Sequence, residues 1–304
     1  MSKSSIATAL CLLAFFIKIT TSLPGCGKAG LRDPMSEDNS IQGARYFLSQ
    51  GFVKTGGLPV YQGFTVETPV DHILHKTHVY THYFPGPDYV LMVLFAVFGD
   101  SPAVISFARW LAIAHLMFAI LLFAYCCERW IFQKWEWGKV WILGALFFAP
   151  AIYQWIYNLH GHAYSSSYIL YGLSIGIFAG ARLSKLKDKQ KYLLAALCFL
   201  IGFLSQYMLL TGAFVVAFAP LAGFLLVPNG KGYREGIYLS AMTGVGLVLA
   251  FAVHFAQVAI ALDSWHLAWM DQIGTAFQRA EDRGPPDRMQ LIGIYSGFVA
   301  GAFR

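Results

Sequence analysis

The sequence predicts an all-α bundle that crosses a membrane about seven or eight times, with an outward first loop of short helices. Composition, long apolar runs and the placement of the basic residues predict it. Of the 304 residues, 57% are hydrophobic and 12% charged, and the mean hydropathy is +0.54. That leaves too little polar surface to coat a soluble globule.

A helix needs about 20 apolar residues to cross a bilayer, because its backbone groups must be hydrogen-bonded within the segment. Stretches that meet or approach this length are Ile6 to Leu23, Pro102 to Cys126, Val140 to Tyr157, Ala163 to Ala181, two spans folded within Tyr192 to Val227, and Ile237 to Ala261. Met289 to Phe303 is a shorter eighth. Asp88 to Phe98, between Pro85-Gly86-Pro87 and Gly99-Asp100-Ser101-Pro102, is apolar but brief and is expected to lie along the interface.

The short loops Cys127 to Lys139, Arg182 to Lys191 and Pro228 to Gly236 are rich in Lys and Arg, whereas Asn158 to Ala163 and Gln206 to Gly212 contain neither. The positive-inside rule then puts the N-terminus in the cytoplasm. Residues 24–101 and 262–288 face outward, to the periplasm, the cell exterior or a lumen, and residues 1–304 read as one multi-pass membrane domain. The net charge of +6 is spread between apolar runs with no aromatic-interleaved basic face, so nucleic acid is not an expected partner.

Ile6 to Leu23 is read as a retained first span, although Leu23-Pro24-Gly25-Cys26 loosely resembles a lipoprotein cleavage box. Of the cysteines at 11, 26, 126, 127 and 198 only Cys26 lies away from the apolar runs, so no disulfide framework is implied.

Candidate chemistry gathers in the outward segments. Glu37 and Asp38 precede a helical pattern, Ile41 to Gln50, that ends at Gly51. Ser36 or Asp38 could simply cap that helix; alternatively Glu37 or Asp38 could act as general base on an acceptor hydroxyl or amine. His72, His75, His78 and His82, interleaved with Lys76, Tyr80 and Tyr83, have metal-ligand spacing only on a helix. Val79-Tyr80-Thr81 favours extended chain, so weak phosphate or headgroup contact by Lys76 with one histidine is weighed above metal binding.

His160 and His162 follow Trp155 and Tyr157 after the third span. The aromatics suit an interfacial belt, and the imidazoles could bind phosphate or move protons. Arg109 lies one or two turns below the outer end of its span, where it either snorkels or pairs with a lipid phosphate or an outward carboxylate. His115 and His254 read as satisfied core histidines. The outward segment around Trp265 to Asp287 reads as a short amphipathic piece and a charged turn.

Three stretches resemble the GT-C superfamily of membrane glycosyltransferases, including protein O-mannosyltransferases and lipid A aminoarabinose transferases. They are Glu37-Asp38 with Ala44-Arg45, Leu48 and Gly51; Tyr80 through Pro85-Gly86-Pro87 to Phe98-Gly99; and Ser101-Pro102 leading to Arg109. The resemblance covers about Glu37 to Leu122. It implies inverting sugar transfer from a polyprenyl-phosphate-linked donor to a glycan, lipid or protein acceptor on the non-cytoplasmic face. Glu37 or Asp38 would be catalytic, and Lys76, His82, Tyr83, Arg109, His160 and His162 would bind donor phosphate or sugar. No resident metal or cofactor is implied, though a divalent cation would be compatible.

The chain departs from the family pattern at Ser36, which falls on the first acidic position. His160-Gly161-His162 stands where many relatives have Asp, and His82 where some have Lys. The competing expectations are a non-catalytic membrane subunit held by a partner membrane protein, and a transporter of lipid-linked sugar.

Overall fold

The computed structural model describes residues 7–14, 17, 34–60, 79, 84–132, 138, 140, 143, 162–208, 213–227 and 233–272. Regular structure among them is helical, apart from one isolated antiparallel bridge between Val60 and Val79. The helices are α1 (Pro34–Gln50), α2 (Gly86–Phe98), α3 (Pro102–Cys126), α4 (His162–Arg182), α5 (Asp188–Met208), α6 (Ala213–Leu225) and α7 (Tyr233–Ala261). Residues 7–14 and 17 are helical within the expected first span.

Three of these helices are long and apolar enough to cross a membrane: α3 continued to Ile131, α5, and α7. The apolar runs of the sequence foretold them. α4, at 21 residues, matches the expected Ala163 to Ala181. α6 has 13 residues, about 20 Å at helical rise, short of a hydrocarbon core about 30 Å thick. Of the seven or eight spans expected, Met289 to Phe303 lies outside the described residues, and of Val140 to Tyr157 only Val140 and Leu143 are described, both helical.

Side chains and close backbone contacts set the directions. α4 and α6 run parallel: Gly172 and Gly176 meet Pro220, and Gly176 and Gly180 meet Phe224. α5 and α7 also run parallel: Gly202 lies against the Thr243 carbonyl, Gly246 against the Phe199 carbonyl, and further along both helices Tyr207 bonds Gln257. At Gly176, Gly202 and Gly246 a Cβ would collide with neighbouring backbone. Small residues are what allow helices in lipid to approach so closely. Pro220 lies inside α6, and the Ser240 hydroxyl of α7 accepts a hydrogen bond from the Leu221 N–H at 2.9 Å, which satisfies a backbone donor beside the proline.

α3 follows the direction of α4: His115 packs on Tyr168 and Tyr171, and Cys126 and Cys127 pack on Ile177. One end of the bundle gathers the starts of α3, α4 and α6 and the ends of α5 and α7, together with α1 and α2. The other end carries Arg129, Arg182, Lys185, Lys187, Lys189, Lys191 and Arg234.

α2, expected at the interface, is indeed only 13 residues long. Its Leu91, Leu94 and Phe95 join Ala44 of α1 and Val104, Ile105 and Ala108 of α3 in one apolar cluster. Asp263 ends α7 in the left-handed region, at φ 51°. Ser264 N–H bonds the Ala259 carbonyl across this turn, which closes the free carbonyls of the helix end. The Ser264 side chain then caps a helical stretch, residues 265–272, by accepting from Leu267 N–H at 3.2 Å.

Candidate functional site

α1 starts at Pro34, whose missing N–H suits a first helical position, and it stops at Gly51, at φ 74°. Glu37 and Asp38 therefore lie inside the helix. This corrects the expectation that the helix starts near Ile41 with Ser36 or Asp38 as its cap. Asp38 is exposed. Ser40, Ile41 and Ala44 of this helix pack inward, while Asp38 shares a stripe with Arg45 by helical register.

Arg45 fixes α1 to the corner between α2 and α3. Its Nε and Nη2 donate to the two carboxylate oxygens of Asp100 at 2.6 and 3.1 Å. The hydrogen bonds to Asp100 hold the guanidinium above its ordinary pKa. Under the same corner lies Arg109, 5% exposed, about two turns into α3. Its neighbours on that face, Ile105 and Ala112, belong to the two apolar clusters between which it sits. So little exposure does not fit snorkelling to the interface, one of the two expectations for Arg109.

Two elements of the first loop dock on the ends of α5 and α7. The Tyr207 hydroxyl donates to Gln257 Oε1 at 2.9 Å, Gln257 Nε2 donates to the Tyr89 oxygen at 3.1 Å, and Tyr89 donates to the Gly57 carbonyl at 2.5 Å. Gly57, at φ 86°, has no room for a Cβ between Tyr89 and Gln257. Burial pushes the Tyr89 phenol pKa well above its usual value, and neighbouring Tyr207 adds to the shift.

Phe84 stacks on the buried His254 ring at 4.3 Å, and Gly86 lies against the Tyr207 carbonyl. Asp88, 1% exposed, is held in the first turn of α2, where a helix N-terminus favours a carboxylate.

No family model, curated protein or solved structure matches the chain.

The structure thus brings α1 with Glu37 and Asp38, the Arg45–Asp100 pair and Arg109 to one corner. His162 opens α4 at the same end of the bundle. Lys76, His82, Tyr83 and His160 lie outside the described residues. Among the described residues, no three His, Cys, Asp or Glu side chains gather as a metal site would require.

Sequence reading missed Asp88 and the Tyr207–Gln257–Tyr89 relay. The Pro85-Gly86-Pro87-Asp88 helix start was a local signal for the first. The relay joins residues up to 168 positions apart and has no local signal. His254 and Gln257 share one face of α7 and meet Phe84 and Tyr207 there.

Proposed function

We propose that this chain is a multi-pass membrane glycosyltransferase, with α1, α2 and the ends of α5 and α7 on the non-cytoplasmic face. It would take a sugar from a polyprenyl-phosphate donor. The observation that carries the reading is the placement of α1, with Glu37 and Asp38 in its second turn, on the bundle corner that also buries Arg109. The sequence resemblance from Glu37 to Leu122 supplies the reaction class.

In this reading a carboxylate of α1 takes the proton from the acceptor as its oxygen or nitrogen attacks the sugar carbon. The phosphate leaves with the electron pair of the broken bond, and nearby cationic charge stabilises it. The seven-to-eight-span topology, with the basic end in the cytoplasm, follows the positive-inside rule. Turnover of lipid-linked sugars by the protein reconstituted in vesicles tests it, with consumption of at least one donor as the expected result.

A specific observation favours a second reading, a subunit held by a partner membrane protein. Residues 265–272 expose Trp265, Trp269 and Met270 at 63%, 57% and 48% while burying Ala268 and Asp271. Under this reading a partner copurifies through that face and is lost on Trp265→Ser with Trp269→Ser, while Glu37→Gln and Asp38→Asn leave function intact.

A further inference from the structure

At the basic end of the bundle an open cleft of about 600 Å³ lies between the ends of α3 and α4, lined by Tyr125, Glu128, Arg129, Trp130, Arg182 and Lys185. We propose that it binds the phosphate of an anionic phospholipid headgroup from the adjacent leaflet. The inference rests on this end meeting a membrane surface and is independent of the transferase reading.

Three cations and one carboxylate give the cleft a positive balance. Arg129, Arg182 and Lys185 are exposed, so their donors are available. The bland reading is that basic residues here only offset the negative ends of two helix dipoles. Two further features exceed that role.

First, α3 does not stop at its last α-helical turn but widens into a π turn, Cys127–Ile131, with Phe132 N–H bonded to the Cys127 carbonyl at 2.8 Å. Such turns are uncommon and occur often at functional sites; this one carries Glu128, Arg129 and Trp130. Second, Tyr125, half-exposed, and Trp130 meet edge to face at 6.1 Å, and Trp130 also packs on Phe178 of α4. An aromatic pair of this kind marks headgroup depth. Basic clefts between membrane helices on the cytoplasmic side suit anionic headgroups, whose phosphate takes charge-assisted hydrogen bonds from Arg.

The test uses full-length protein in detergent, titrated with short-chain phosphatidylglycerol, phosphatidylcholine or inorganic phosphate, with binding read by native mass spectrometry and thermal shift. Arg129→Gln/Arg182→Gln/Lys185→Gln is compared with the charge-matched Lys187→Gln/Lys189→Gln/Arg234→Gln. The expected result is saturable phosphatidylglycerol binding that weakens about tenfold or more in the cleft variant and little in the matched one, with phosphatidylcholine and inorganic phosphate ineffective. Should the triple variant fail to fold, Arg129→Gln and Lys185→Gln singly must each weaken binding. Equal loss in both triple variants would overturn the site in favour of general surface charge. Equal binding of phosphatidylcholine, or saturation by inorganic phosphate alone, would overturn the headgroup assignment.

Discussion

Arg45 and Asp100, 55 residues apart in sequence, form a two-pronged ion pair that ties the carboxylate-bearing helix α1 to the turn between α2 and α3. Because the side chains are 55% and 37% exposed, solvent screening limits the pair to about 0.2–1 kcal/mol. Arg45→Ala or Asp100→Asn is expected to lower the melting temperature slightly, with the difference shrinking at high salt. A double-mutant cycle at low and high salt checks this.

The Tyr207–Gln257–Tyr89–Gly57 relay matters more, being half-buried and shared by four segments. Gln257→Leu leaves two tyrosine hydroxyls short of a partner and is expected to cost about 1–3 kcal/mol. Hydrogen exchange should then rise in residues 52–60 before the bundle itself opens. Uniform exchange across the chain would argue against a separate docking of the loop.

Alkaline pH tests the burial of Tyr89. Its phenol pKa is raised above the ordinary 10.0 on folding, chiefly by burial. The folded state therefore favours the neutral phenol, and that contribution is complete below the unfolded value of 10.0 and lost as pH rises through the higher folded value. Stability should fall above about pH 10, and Tyr89→Phe should make that alkaline fall less steep. Denaturant midpoints between neutral and alkaline pH measure it.

Close helix contacts can be tested with a single methyl group. Gly202→Ala drives a Cβ into the Thr243 carbonyl and Gly246→Ala into the Phe199 carbonyl, neither of which can rotate away as a side-chain tip could. Each is expected to cost about 1–3 kcal/mol by overpacking. Gly244→Ala meets nothing within 4 Å and should be neutral or slightly stabilising. Thermal unfolding in detergent distinguishes them.

The apolar runs made α3, α5 and α7 legible, because span length and hydropathy are local properties. The shortness of α2, 13 residues, was legible for the same reason. The start of α1 was misplaced because Pro34 reads as loop, whereas its fixed φ and missing N–H suit a first helical turn. The burial of Arg109 is a tertiary property, which periodicity in α3 alone does not contain. The Gly172, Gly176 and Gly180 ladder is present in the sequence, but its meaning needs the partner α6.

Under the proposed function a carboxylate of α1 performs base chemistry on an acceptor. The most direct test measures transfer from a panel of polyprenyl-phosphate sugars in vesicles, comparing wild type with Glu37→Gln, Asp38→Asn and the double variant, each with donor binding measured separately. The account predicts that one single variant and the double variant lose about 100-fold or more in turnover while binding donor as wild type does. Unchanged turnover in the double variant, or no donor consumed or bound by folded wild-type protein, would contradict it.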